Sequence, residues 1–247
     1  MIRLFALGAC ALLLSLSVGT QAFAAAYTDT SHALGTVTYT NISDLNGLFQ
    51  QPSQTVNTLT FSPNGFEATC TNADCGGLAS TTDTVVFRVD ANEGNFIDDI
   101  ILSEAGDTNL TEFLGGATGI TTVTADVFVD ILEVNGSPVG GVNAIAAMVF
   151  TSSGDYSLAS EGDGLHAWSG NLTLDINQVL ADNSIVGQAT LVEVSIANTL
   201  TATSSVGAIA TIEKKDVSGL SITVVPEPGT ALLMGLGLAG LATTRRR

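Results

Sequence analysis

Basic residues are almost missing from this sequence. The 247-residue chain has 7 Lys and Arg against 24 Asp and Glu, and four of the seven basic residues lie close to the two ends. Between residues 27 and 223, only Arg88, Lys214 and Lys215 stand against 23 acidic residues, a net charge of about −20. Such a field repels the phosphates of nucleic acids and anionic lipid surfaces. Nucleic-acid binding is therefore excluded.

Charged residues of either sign are also scarce, at 13% of the chain, whereas 45% is hydrophobic. An acidic chain with little apolar content would stay disordered, but this one has enough apolar side chains to build a core. The roughly 200 residues between the terminal segments fit one domain. We therefore expect one folded domain over residues 25–223.

Cysteine is nearly absent as well. Cys10 lies in the N-terminal apolar segment, which leaves Cys70 and Cys75 in the turn-rich stretch TCTNADCGG. Two cysteines in an exported protein most often pair, so we predict a disulfide. Free thiols and a metal site are the alternatives, although His32 and His166 are far from both cysteines in the sequence.

The N-terminal segment indicates export. One early positive charge (Arg3) precedes an apolar stretch from Leu4 to Val18, and small residues follow around Ala24. This arrangement is typical of a secretory signal peptide. We predict cleavage after Ala24, which makes residues 1–24 the signal peptide, with cleavage after Ala26 as the alternative.

The body shows no helical period, but period-two alternation recurs. In TTVTADVFVDILEVN, the apolar residues Val123 to Ile131 share one face of a strand, and Asp126 and Asp130 lie on the other. Thr, Val and Ile are abundant, and turn clusters such as SPNG and EGDG separate the strands. We predict an all-β body of ten to twelve strands, an antiparallel β-sandwich or jelly roll, flanked by an N-terminal signal helix and a short hydrophobic C-terminal helix.

Motifs for catalysis are missing. The sequence has no G-x-S-x-G elbow, phosphate-binding loop, dinucleotide glycine pattern or H-E-x-x-H. Asp126 and Asp130 would lie about 13 Å apart on one strand, too far apart for a glycosidase pair. We therefore predict no catalytic residues and no enzyme activity, with a secreted hydrolase as the least favoured alternative.

Two features suggest ligands. The stretch DANEGNFIDD places several oxygen ligands close together, which calcium prefers, although it does not match an EF-hand and an ordinary solvated turn has the same composition. The calcium candidates are Asp90, Asn92, Glu93, Asp98 and Asp99. Trp168 lies two residues after His166, on the same face of a strand, and as the single tryptophan of a β-sandwich it is expected in the core. Stacking on sugar rings, if the indole is exposed, is the alternative.

The last 24 residues differ from the body. Pro226 and Pro228 flank Glu227 and prevent a strand or helix from continuing. The apolar residues 231–242 are too few for a stable membrane span, and Arg245, Arg246 and Arg247 follow as a stop that stays in the cytoplasm. We therefore predict that residues 224–247 are a separate segment with a short hydrophobic helix, a weak transmembrane anchor, and that their prolines mark a boundary that an enzyme could recognise.

Val225-Pro226-Glu227-Pro228, the apolar stretch and the terminal arginines together resemble the PEP-CTERM sorting domain of Gram-negative bacteria. The resemblance implies that an exosortase recognises Pro226, Glu227 and Pro228, that the precursor is held transiently in the inner membrane, and that the body reaches the cell surface or exterior. It also implies an association with exopolysaccharide and biofilm.

We therefore expect an acidic, exported β protein that serves a structural or adhesive role in an extracellular matrix and has no cofactor. A carbohydrate- or calcium-binding module is the alternative.

Overall fold

The computed structural model describes residues 24–215 and 218–226. Strands make up 63% of the structure and helices 7%, and every strand pairing is antiparallel, which confirms the prediction of an antiparallel all-β body. The predicted signal helix and C-terminal helix lie outside the described residues. The structure has sixteen strands, more than the ten to twelve expected, because several are only two or three residues long.

The strands follow one another in this order: β1 Ala25–Ala26, β2 Thr30–Ser31, β3 Val37–Asp44, β4 Ser53–Thr55, β5 Thr58–Phe61, β6 Glu67–Thr71, β7 Ala79–Ala91, β8 Ile97–Glu112, β9 Gly119–Val134, β10 Ser137–Ala147, β11 Val149–Phe150, β12 Asp155–Ser157, β13 Gly164–Asp175, β14 Ala189–Ser204, β15 Ala208–Lys214 and β16 Leu220–Pro226. Two short helices, α1 (Leu158–Glu161) and α2 (Ile176–Asp182), and a 3-10 turn at Thr151–Gly154 lie between strands.

The strands form two groups of one curled sheet. In the first group the order is β3, β7, β14, β9 and β10, with β1 and β2 on the outer edge of β3. In the second group β8 pairs with β13 on one side and with β15 and β16 on the other. β6 extends the sheet beyond β15, and β5 and β4 extend it beyond β16. A single bridge between Ala189 and Ile97 joins the two groups.

Both groups contribute side chains to one hydrophobic core. On β9 the predicted alternation is observed: Val123, Val127 and Val129 are buried, whereas Asp126 and Asp130 lie on the exposed face. The hydroxyls of Thr108 on β8 and Thr121 on β9 are 2.7 Å apart in the core, so the two strand groups also meet through a hydrogen bond.

Trp168 on β13 is 2% exposed and belongs to this core, which confirms the expected core position and contradicts the alternative of an exposed, sugar-stacking tryptophan. Its indole lies over Gly106 of β8, the residue with which it pairs. A Cβ atom at Gly106 would lie 2.0 Å from Trp168 Cζ2 and 2.1 Å from the Glu213 carbonyl oxygen. The close approach of the indole therefore requires glycine at position 106.

Cys70 and Cys75 are joined by a disulfide. Cys70 lies at the buried face of β6 and accepts a hydrogen bond from Ser204 Oγ at 3.3 Å, whereas Cys75 lies in the following turn. The turn contains two non-glycine residues with positive φ, Asn72 and Ala73. The disulfide therefore closes a short, tightly bent loop onto the core.

We expect Gly106→Ala to lower the free energy of unfolding by about 3 kcal/mol or more, because the added methyl group would clash with the Glu213 carbonyl oxygen and with the Trp168 indole. Gly140→Ala on β10 is the matched control: its Cβ meets nothing within 4 Å, so the change should stay within about 0.5 kcal/mol. Urea unfolding followed by tryptophan fluorescence measures both. Equal stability of the two variants would contradict the packing of Trp168 on Gly106.

Reducing the disulfide should lower the free energy of unfolding by about 2 kcal/mol, because the closed loop is short and constrains the unfolded chain only modestly. Denaturation curves with and without a thiol reductant measure the difference. The Cys75→Ala variant removes the bond and should show no dependence on the reductant.

Candidate functional site

The predicted sorting motif begins inside the folded body. Strand β16 runs from Leu220 to Pro226 between β8 and β5. Val224 is buried, and its N–H donates to the Asn57 carbonyl at 3.0 Å. Tyr39 fixes the same region, because its hydroxyl donates to the Asn57 carbonyl at 2.6 Å. The chain is therefore held in the sheet up to the first proline of the motif.

The strand continues three residues beyond the domain boundary expected after Thr223. Val225 pairs with Asp99 of β8, and Pro226 pairs with Ile97 after a register shift. Proline has no N–H to donate, which suits the last position of a strand. The remaining motif residues Glu227 and Pro228, and the arginines Arg245, Arg246 and Arg247, lie outside the described residues.

The five residues predicted to bind calcium are engaged separately. Asp90 and Asn92 accept hydrogen bonds from the hydroxyls of Thr40 and Thr38 on β3, at 3.0 and 3.1 Å. Asp98 accepts a hydrogen bond from the Asn177 side chain. Glu93 lies exposed in the turn after β7, and Asp99 lies on β8 between β13 and β16. In residues 24–215 and 218–226, no three His, Cys, Asp or Glu side chains are placed to hold a metal ion, so the predicted calcium ligands are not assembled.

Both histidines make local contacts. His32 Nδ1 accepts a hydrogen bond from the Leu34 N–H at 3.2 Å, within its own turn. His166 Nε2 lies 3.2 Å from the Gly162 carbonyl oxygen, four residues earlier in the chain.

A buried ion pair, which the sequence analysis missed, lies in the core of the second strand group. Lys214 Nζ on β15 is 2.6 Å from Glu104 Oε2 on β8, and both side chains have no exposed surface. The alternation of inward and outward residues on both strands could have indicated this pair, because it places both charged residues on inward positions. Lys214 continues the buried face of Ala208, Ala210 and Ile212. Likewise, Glu104 shares the inward face of β8 with buried leucines.

Three aromatic rings surround the Lys214 ammonium. The rings of Phe49, Phe66 and Trp168 have centroids 5.7, 5.5 and 5.7 Å from Nζ. We call Lys214, Glu104 and these three rings the aromatic cage. Burial lowers the pKa of Lys214 from its usual range, and the charge of Glu104 opposes this shift. The pair is therefore enclosed by the core, with no exposed surface on either side chain.

Two buried carboxylates place Phe49 in this cage. Asp44 accepts backbone N–H bonds from Gly47 at 3.0 Å and Phe49 at 2.8 Å. Asp83 accepts bonds from the N–H groups of Asn46 and Leu48, each at 2.9 Å. Burial raises the pKa of Asp44, and the hydrogen bonds from the loop oppose that shift. Both residues are occupied in holding the loop before β4.

The three Lys and Arg side chains among the described residues all take part in ion pairs. Arg88 Nε lies 2.8 Å from Glu193 Oε2, Lys214 pairs with Glu104, and Lys215 Nζ lies 3.8 Å from Asp107 Oδ1. The surface that a partner meets on this part of the chain is therefore strongly acidic.

In residues 24–215 and 218–226 the helices are short, and none has the length and apolar character needed to cross a bilayer. The apolar stretch at residues 231–242 lies outside this range.

Comparison with solved structures finds only distant similarity. TmCBM61 in complex with β-1,4-galactotriose is 9% identical over 77% of this chain and 83% of its own, with a TM-score of 0.20. The CBM22-1–GH10 modules of a Clostridium thermocellum xylanase with xylohexaose are 8% identical over 68% and 28%, with a TM-score of 0.21. A family 12 xyloglucanase from Bacillus licheniformis is 10% identical over 82% and 100%, with a TM-score of 0.18. Similarity this low supports no conclusion about this chain.

No curated protein matches the chain. The model of the family described as the PEP-CTERM protein-sorting motif matches residues 224–247, as the tripeptide, the apolar stretch and the arginines led us to expect. The chain therefore carries a PEP-CTERM protein-sorting motif, whose first three residues are also the last three of strand β16.

Proposed function

We propose that this chain is a non-enzymatic protein of the cell surface or extracellular matrix, whose acidic β-sandwich body contributes to the cohesion of an exopolysaccharide or biofilm matrix. The sorting motif implies export and processing by an exosortase. Before processing, residues 231–242 hold the precursor in the inner membrane, with Arg245, Arg246 and Arg247 on the cytoplasmic side.

The junction at Pro226 carries this proposal. The last strand is buried in the sheet up to Val224, and Pro226 still pairs with β8. Cleavage beyond Pro226 would release the body with every strand of residues 24–215 and 218–226 intact, which is what a delivered structural domain requires.

The use of polar residues supports a structural role. Asp44 and Asp83 hold the Phe49 loop, and Asp90 and Asn92 tie β7 and the following turn to β3. These side chains accept hydrogen bonds from backbone and hydroxyl groups of the fold itself, which supports a role for them in stability.

The charge of the body indicates which matrix components suit it. All three Lys and Arg residues of the described chain are already paired with acids. An anionic polymer would be repelled unless cations lie between the two surfaces, whereas a neutral glycan would not. The favoured partner is therefore a neutral exopolysaccharide, or an anionic one bridged by cations.

We expect Glu227→Ala to leave the precursor unprocessed in the inner membrane, because the change removes the carboxylate of the recognition peptide and leaves β16 unchanged. Immunoblots of membrane and extracellular fractions, with intact mass measurement, give the location and length of the protein. Glu93→Ala removes an equal charge from an exposed turn and should be processed normally. Normal processing of Glu227→Ala would contradict recognition of the tripeptide.

A strain that lacks the protein should form a matrix that disperses at lower shear than the wild type. The Glu227→Ala strain should show the same weakness, because its protein never reaches the matrix. Turbidity after stepwise shearing measures cohesion, and Glu93→Ala is again the control. If the deletion strain keeps full cohesion, the matrix role is wrong even where the sorting step is correct.

A further inference from the structure

The aromatic cage brings an amine and a carboxyl group together without water. Lys214 Nζ and Glu104 Oε2 are 2.6 Å apart, and neither side chain has exposed surface. Within the described part of the chain, neither Glu104 carboxylate oxygen nor Lys214 Nζ has a hydrogen bond of good geometry. A buried ion pair without such hydrogen bonds is poorly compensated for its lost hydration.

The strands hold the two groups in place. Lys214 is the last residue of β15 and pairs with Gly106 of β8, two residues from Glu104 on the same face. Gly106 has no side chain, so both the Lys214 chain and the Trp168 indole can lie over it. The backbone is fixed on both sides of the pair, since the Lys215 N–H donates to the Ala105 carbonyl at 3.0 Å.

The reaction requires a neutral amine on Lys214. Burial lowers the pKa of Lys214, and a proton that leaves its ammonium has the Glu104 carboxylate as an acceptor 2.6 Å away. A desolvated neutral lysine is a nucleophile. The fixed contact between the two groups replaces a bimolecular encounter with an intramolecular step.

We propose that Lys214 and Glu104 condense to an intramolecular amide that cross-links β15 to β8. Lys214 Nζ attacks the Glu104 side-chain carbonyl carbon, and the new N–C bond replaces the C–OH bond. The hydroxyl leaves with one amine proton as water, and the nitrogen keeps one hydrogen. No oxidation or reduction takes place, and no co-reactant is needed.

The cross-link would join two neighbouring strands. β15 ends beside Gly106, and β16 begins with Leu220 beside Glu104. The amide would therefore lock the end of β15 to β8, the strand that also pairs with β16.

Intact mass spectrometry of the mature, reduced protein tests the proposal. We expect a mass lower than the sequence mass by one water, about 18 Da, with the loss mapped to a peptide that joins the Lys214 and Glu104 segments. A protein with the full sequence mass would overturn the proposal. A loss of one ammonia, about 17 Da, mapped to Lys214 and the buried Asn198 amide, would also overturn it, because the acceptor would not be Glu104.

Two variants serve as controls. Lys214→Arg keeps the charge but removes the nucleophilic amine, and the double variant Lys214→Met with Glu104→Leu removes both charges and should fold on an apolar core. Both should have the full sequence mass. Near-ultraviolet circular dichroism of Trp168 shows that each variant is folded. A loss of one water that persists in the folded double variant would place the bond elsewhere and contradict the assignment.

Discussion

The backbone of β8 holds the second strand group together, and the arrangement of the rest of this half depends on it. From Ile97 to Glu112 it pairs with β13 along one edge and with β16 and then β15 along the other. Because both edges are paired, β8 lies inside the sheet and its inward side chains face the core. Glu104 lies on that inward face and loses its hydration, and the Lys214 ammonium provides the opposite charge beside it.

The same strand also pairs with the first residues of the sorting motif. Glu104 lies beside Leu220 at the start of β16, whereas Pro226 at the end of β16 pairs with Ile97. Strand β8 therefore contributes Glu104 to the aromatic cage and, at its other end, holds the start of the motif at residues 224–247.

Local patterns in the sequence predicted the local structure well. The alternation from Val123 to Ile131 correctly identified a strand with one buried face, and the tripeptide around Glu227 was correctly identified as part of a sorting motif. Both features depend on neighbouring residues only. The end of the body was less well predicted, because the sequence alone did not show that Val224 would be buried against β8.

Predictions that needed spatial neighbours were less successful. The calcium candidates are close in sequence, but the structure directs Asp90 and Asn92 toward β3 and Asp98 toward Asn177, so nearness along the chain did not assemble a site. Lys214 and Glu104 are more than a hundred residues apart, and their contact depends on the register of β15 on β8.

By itself, the sequence determined the β class, the acidic surface and the presence of the sorting motif, because composition, period-two alternation and a short peptide do not depend on long-range pairing. Only the tertiary structure decided that Trp168 packs in the core, that a lysine and a glutamate meet in a dry cage, and that the motif starts within a paired strand. These outcomes depend on which distant strands form hydrogen bonds and in which register, since a shift of one residue would turn every side chain to the opposite face.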